Sequence, residues 1–233
     1  MKETTPKVSA IIPAAGIGKR FCTDIKKQFF LLDGNPILYY TMKTLNDAYP
    51  FDEFVVGASA EDFKYIYRIA DKLGITRISL SEGGGTRTRT VLNALRLSVC
   101  DYVLIHDAVR PFVPHNVVGD TIRAGMEYGS AICGVYARDT VKRVKDGITQ
   151  RTEDRDSIFL AHTPQVFRRE TLLAALEKAE AEGVLFTDES TAYEAAGYKS
   201  AARFSNADNI KITELADIPI ACALVKKYFP KIN

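Results

Sequence analysis

Short apolar runs at residues 8–12, 54–58, 77–80, 102–105 and 131–135 are separated by segments whose apolar residues recur at helical spacing. Runs this short and this continuous are strands covered on both faces, because a strand with one wet face alternates. The intervening segments at 61–73, 87–99 and 115–128 read as helices. A further helix opens at Asn35-Pro36, with asparagine as cap and proline at the first helical position. Strand and helix in turn predict a mostly parallel sheet with right-handed crossovers.

The rhythm breaks after Val135. Residues 137–167 carry many charges, alternate in polarity, and hold a turn signal at Asp146-Gly147. A two-stranded excursion this polar has no core of its own, so it is expected to find a partner chain. Helices resume at 169–182, 188–196 and 214–228, with no repeat, low-complexity stretch or linker. The expected architecture is α/β. It is a single Rossmann-like domain over 1–233, its twisted sheet flanked by helices, with 136–162 protruding as a dimerisation arm.

A formal net charge of only +2 gives no global field to draw the protein onto nucleic acid or an anionic membrane. No apolar run is long enough to cross a bilayer, and "MKETTPK" lacks the apolar segment of a secretory signal. Cys22, Cys100, Cys133 and Cys222 show no metal-ligand spacing and read as reduced thiols, so a cytoplasmic location is expected. No base-stacking motif accompanies the basic residues, which argues against nucleic-acid binding. Positive charge that matters must therefore be local.

It is concentrated after the first strand, where "PAAGIGKR" is followed by "KKQFF". Ligands of open parallel sheets bind at the carboxyl ends of strands. The loop is neither a Walker loop nor the dinucleotide fingerprint, since Phe21 stands where a third glycine belongs. Gly16 and Gly18, flanked by Ala14 and Ala15 after Pro13, still let backbone N–H groups approach phosphate oxygens. Lys19, Arg20, Lys26 and Lys27 add cationic charge around the same space. Composition alone allows either a solvated loop or a triphosphate site; position after a strand and glycine spacing favour the latter.

Asp107, just past a buried strand, is placed to hold a divalent metal or to pair with Arg110. Gly83, Gly84 and Gly85 precede a helix starting near Thr86, with Arg87 bracing the loop. Tight backbone of this kind can read the edge of a flat base, although an ordinary flexible loop has the same composition. Lys211 in "DNIKIT", ahead of a helix capped by Thr213, is by itself an unremarkable surface lysine. Arg155, between Asp154 and Asp156, is by itself a surface ion-pair residue.

Taken together, "PAAGIGKRF", "KKQFFLLDGNPIL", "GGGTRTRTVLNAL", "HDAVRPFV", "RDTVKR", "DRDSIFLAHTPQVF", "TDESTAYEAAG" and "ADNIKIT" resemble the sugar-phosphate nucleotidyltransferases. Within that superfamily they are similar to the 2-C-methyl-D-erythritol 4-phosphate cytidylyltransferase family, over about residues 8–226. The resemblance implies transfer of the cytidylyl group of CTP to a sugar-alcohol phosphate, with release of pyrophosphate. It implies CTP contacts at Pro13, Ala14, Ala15, Gly16, Gly18, Gly84, Gly85 and Thr90, and magnesium, or another divalent cation, at Asp107 with Asp208 as a second carboxylate. Arg20, Lys27 and Lys211 would carry transition-state charge. The acceptor phosphate would meet Arg155 from a neighbouring subunit, with Arg138, Asp139, Thr140, Thr163 and Thr187 nearby.

The attacking phosphate is already an anion, so no general base is required, which suits a sequence without a Ser-His-Asp or Cys-His constellation. Two other readings stand beside this one. A ribitol-5-phosphate cytidylyltransferase would share fold, nucleotide and chemistry. A non-catalytic nucleotide-binding regulatory module would need the glycine loops but not Arg20, Lys27, Asp107 and Lys211 together.

Overall fold

Val8, Ala10 and Ile12 of the first strand (β1, Val8–Pro13) point to one side of the sheet and Ile11 to the other, and all four are fully buried. Both faces of β1 therefore need cover. The computed structural model, which describes residues 5–16, 18, 21, 25–184 and 186–230, supplies it with helices on each side.

A short strand pair, β2 (Leu31–Leu32) and β3 (Asn35–Pro36), leads into α1 (Ile37–Ala48). Asn35 is thus engaged opposite Leu32, and Pro36 takes the cap position, one residue later than expected. Then follow β4 (Glu53–Ala58), α2 (Phe63–Lys72), β5 (Ile78–Glu82), α3 (Arg87–Leu97), β6 (Tyr102–Ile105), α4 (His115–Tyr128) and β7 (Ser130–Tyr136). One face of β1 and β4 packs on Leu38 and Met42 of α1, Ile66 of α2 and Val118 of α4. The other packs on Val91 and Leu95 of α3 and on Leu172 and Leu176 of α5 (Arg169–Ala181).

The excursion after β7 is a hairpin of β8 (Lys142–Lys145) and β9 (Ile148–Thr152), every residue of which is exposed. Its turn is at Asp146 and Gly147, both with positive φ, as the sequence implied. The hairpin is shorter than the expected arm of 136–162. Tyr136 pairs with Phe159 in the main sheet, and the strand β10 (Phe159–Arg168) runs antiparallel between β6 and β7. Its second half is buried, so this stretch belongs to the core rather than the arm.

After α5 come α6 (Glu189–Ala195), β11 (Ala201–Phe204) and α7 (Ile218–Tyr228). The seven-stranded sheet has the order β11-β7-β10-β6-β1-β4-β5, parallel except for β10. The turn before α7 is held by Asp217, which accepts from the N–H groups of Thr213 and Glu214. Thr213 is thus a donor to the cap, while Glu214 takes the N-cap position expected for Thr213. Among the described residues no helix is long and apolar enough to cross a membrane.

Candidate active site

The carboxyl ends of β1, β5 and β6 open onto a cleft of about 510 Å³. Its lining includes Pro13, Ala14, Ala15, Gly16, Gly84, Gly85 and Thr90 from the expected nucleotide set, together with Lys27, Arg87, Asp107 and Lys211. Among the described lining residues three cations stand against one carboxylate, which makes the cleft locally positive in a chain of nearly balanced charge. Such a site suits a polyanion.

Local hydrogen bonds shape the glycine loops. The Ala14 N–H donates to the Gly57 carbonyl at 2.6 Å, tying the loop to β4. The buried Gln28 side chain donates to the Ala14 carbonyl at 2.5 Å, which holds Lys27 beside the loop. Gly18 has φ of +64°, a conformation that disfavours other residues, and a side chain there would stand 3.4 Å from Lys27 Cβ. Across the cleft a Cβ on Gly83 would run into Ala15, so only glycine lets the two loops meet. The Gly84 N–H donates to Thr90 Oγ1 at 3.0 Å, and Thr86 caps α3 by accepting from the Arg89 N–H. Gly85 faces open space.

Asp107 is the electrostatic centre. Its Oδ1 accepts from Arg87 Nε at 2.9 Å, and its Oδ2 lies 2.8 Å from Lys211 Nζ. Arg110 Nε stands 3.5 Å from Oδ2, an ion pair without a formed hydrogen bond. The Asp107 N–H donates to Thr163 Oγ1 at 3.0 Å. Burial alone would raise the carboxyl's pKa, but the charges of Arg87, Lys211 and Arg110 hold it well below the usual carboxylate range. Arg87 also donates to both oxygens of the fully buried Glu189, at 2.7 and 2.6 Å. Burial pushes the Glu189 carboxyl up, opposed by the Arg87 charge.

Burial raises the Asp217 carboxyl, but the N–H groups of Thr213 and Glu214, the Thr213 hydroxyl and, least of these, the charge of Lys27 bring it below its usual range, which places Lys27 near the turn before α7. Lys26 points elsewhere: it pairs with Glu61 and Asp62 at 2.5 and 2.7 Å, so it does not join the cleft cations. Arg20, Lys19 and Cys22 lie outside the described residues. Thr163 supports Asp107 from β10, and Thr187 stands just before α6, two residues from Glu189. Arg138, Asp139, Thr140 and Arg155 are exposed at the base of the hairpin, away from the cleft lining, with Arg155 Nη1 donating to the Arg138 carbonyl at 3.1 Å. Asp208 pairs with Lys227 and Tyr228 of α7 and does not line the cleft.

Gln28 and Glu189 were not singled out by the sequence. A Lys-Gln pair marks the first only faintly, and nothing local marks the second, whose partner is 102 residues away.

His106 next to Asp107 is fully buried, and burial pushes its pKa down to about 4. The ring is therefore neutral, with Nε2–H donating to the Arg110 carbonyl at 2.9 Å. The unfolded chain takes up this proton near pH ~6.5, the folded chain only near 4, so U binds more protons between those values. Stability from this group is full above about pH 6.5 and falls as pH drops toward 4, by about 3 kcal/mol in all. Urea denaturation at pH 7.5 and 4.5 is expected to show a steeper loss for the native protein than for His106→Gln; parallel losses would contradict this.

The profile of the family described as 2-C-methyl-D-erythritol 4-phosphate cytidylyltransferase (IspD) matches residues 8–227. The enzyme of that name from Geotalea uraniireducens is 39% identical over 227 residues, covering 94% of this chain and 97% of that protein. That from Clostridium novyi is 35% identical, again over 94% and 97%. Among solved structures, the 4-diphosphocytidyl-2C-methyl-D-erythritol synthase of Anaerococcus prevotii superimposes with a TM-score of 0.85 at 29% identity, covering 95% and 96% of the two chains. The Francisella tularensis cytidylyltransferase does so with a TM-score of 0.78 at 32% identity, covering 94% and 99%.

Proposed function

The chain belongs to the 2-C-methyl-D-erythritol 4-phosphate cytidylyltransferase family, and we propose that it transfers the cytidylyl group of CTP to 2-C-methyl-D-erythritol 4-phosphate in the cleft described above. The products are 4-diphosphocytidyl-2-C-methyl-D-erythritol and pyrophosphate. The observation that carries the reading is the gathering of Lys27, Arg87 and Lys211 from distant segments around one pocket between two glycine loops.

An acceptor phosphate oxygen attacks the α-phosphorus of CTP, forming a new P–O bond. The bond from the α-phosphorus to the bridging oxygen breaks, and its electron pair leaves on pyrophosphate. No proton has to move, in keeping with a cleft lining that holds no histidine or cysteine among the described residues. The difficulty is negative charge building at phosphorus and on the leaving group, and preorganised cations answer it. Lys27 and Lys211, with Arg20, serve that role in this reading. Arg87 is a positioning group in this reading, because its Nε is engaged by Asp107 and its Nη1 by Glu189. The backbone around Ala14, Ala15, Gly16 and Gly18 meets the triphosphate, and Gly84, Gly85 and Thr90 meet the cytosine.

Asp107 suits a magnesium ion as a single carboxylate ligand. Each carboxylate oxygen has two lone pairs, so Oδ1 keeps one after accepting from Arg87. A magnesium ion bound there would neutralise charge on the phosphate oxygens. Asp208 does not line the cleft, which leaves Asp107 as the ligand of this reading.

The acceptor phosphate is gripped by Arg155 of a neighbouring subunit in a homodimer built on the hairpin, with Arg138, Asp139, Thr140, Thr163 and Thr187 around it. Support for the dimer comes from exposed apolar groups along that side. Val144 and Ile148 lie on the hairpin, and exposed Tyr136 and Phe204 meet each other and half-buried Phe159 in edge and tilted ring contacts at its base. The reading includes a cytoplasmic location, supported by the free thiols of Cys100, Cys133 and Cys222. Arg155→Ala is expected to raise the KM for the acceptor roughly 10- to 100-fold, the value of one charge-assisted contact, with the KM for CTP unchanged. A change confined to CTP would contradict the assignment.

The function is tested by pyrophosphate release with methylerythritol phosphate, scanned across the four nucleoside triphosphates. Release is expected with CTP and only when acceptor is present. Release without acceptor, or equal rates with purine nucleotides, would overturn the reading.

A further inference from the structure

Asn209 is fully buried, two residues before Lys211, and belongs to neither the nucleotide nor the acceptor contacts. Its Nδ2 donates to the Thr163 carbonyl at 3.0 Å and to Ser205 Oγ at 3.1 Å. Its backbone carbonyl accepts from Arg110 Nη1 at 2.7 Å, and its N–H donates to Asn206 Oδ1 at 3.2 Å. Both longer connections lead to Asp107. Thr163 Oγ1 accepts from the Asp107 N–H, and Arg110 Nε stands 3.5 Å from Asp107 Oδ2, the oxygen that Lys211 Nζ meets at 2.8 Å.

The segment bearing Lys211 is thus joined to the strand end bearing Asp107 by way of β10, through a fully buried side-chain amide. One more tie follows Lys211, where the Ile212 N–H donates to the Val109 carbonyl at 3.0 Å. Asn209 Oδ1 has no partner among the described residues, so every bond of the amide, a long one to Cys133 Sγ at 4.0 Å included, is made by its NH₂. Aspartate would lack those donors and would set a carboxylate oxygen against the Thr163 carbonyl. An orphaned buried oxygen is unfavourable, and its persistence points to a demand for the donors.

We propose that Asn209 is a positioning residue for the transfer reaction: by clamping the Thr163 carbonyl it sets where the Lys211 ammonium stands relative to Asp107 and the reacting phosphate. This rests on the reading above that Lys211 acts on the reacting phosphate. A displacement of about 1 Å at such a group costs on the order of a hundredfold in rate. CTP binding, which draws on the glycine loops of β1 and β5, is left alone.

The test is a double-mutant cycle of Asn209→Ala with Lys211→Ala, read by pyrophosphate release at saturating CTP and methylerythritol phosphate, alongside CTP affinity and thermal midpoint. Asn209→Ala alone is expected to lower kcat roughly 10- to 100-fold with CTP affinity within a few-fold of the native protein. In the Lys211→Ala background the same change is expected to have almost no further effect on kcat, while lowering the thermal midpoint as before. Ser205→Ala, which removes one acceptor of the amide at a half-buried position, is expected to repeat the pattern more weakly and serves if Asn209→Ala does not fold. Equal kcat losses in both backgrounds, or a lowered midpoint with native kcat, would overturn the role of Asn209. Native turnover by Lys211→Ala alone would instead overturn the role of Lys211, and the positioning role with it.

Discussion

Arg87→Ala is expected to destabilise the protein by about 3–5 kcal/mol, the range for removing one partner of a buried ion pair. The guanidinium is shared between Asp107 and Glu189, and among the described residues only Asp107 has other cations to turn to. Glu189 is fully buried and would be left with an uncompensated charge or a forced proton. In a chain of this length the loss corresponds to a fall in thermal midpoint of roughly 10 °C. Adding Glu189→Gln to Arg87→Ala is expected to recover part of it by removing the stranded charge. Denaturant unfolding of the three variants measures this; a loss under about 1 kcal/mol for Arg87→Ala would mean the pair is not buried as described.

Alanine at Lys27 or at Lys211 is expected to lower turnover by about 10²–10³, the value of one donor aimed at developing charge, or roughly 2.7–4 kcal/mol. The two lysines reach the cleft from different places, one from the turn after the first glycine loop and one from the segment before α7. Their structural costs also differ. Lys211→Ala leaves Asp107 with Arg87 and Arg110, so the fold is expected to survive it. Arginine at Lys211 keeps the charge but brings a planar fork in place of a compact ammonium, and is expected to restore only part of the rate. Steady-state pyrophosphate release by the purified variants supplies these numbers.

Much of this was legible in the chain. The strand runs at 54–58 and 102–105 appear within a residue of where they were expected, because continuous apolar runs can only be covered on both faces. That the glycine loops around Ala14 and Gly84 line one cleft was legible because glycine has few other reasons to cluster after strands. What escaped was decided by partners distant in sequence. The stretch from Phe159 to Arg168 reads as polar because of His162, Thr163 and Gln165. Its second half is buried because Asp107 and Asn209 meet Thr163 and Asp188 meets Gln165. Glu189 looks like a surface residue of a short helix until Arg87 is placed beside it. Lys26 was counted with the cleft because it precedes Lys27, yet the acids of the turn before α2 claim it. Charge type is written in the sequence, but the direction a long side chain takes is set by the nearest opposite charge in space.

The account comes down to cations that act on the transition state more than on bound CTP. It is tested most directly by measuring, on Lys27→Ala and Lys211→Ala, both the CTP dissociation constant and the single-turnover rate of pyrophosphate release at saturating CTP and methylerythritol phosphate. The expected result is a rate lowered by about 10²–10³ with CTP affinity changed only a few-fold. A native single-turnover rate in either variant, or a loss of rate matched by an equal loss of CTP affinity and recovered at higher CTP, would contradict it.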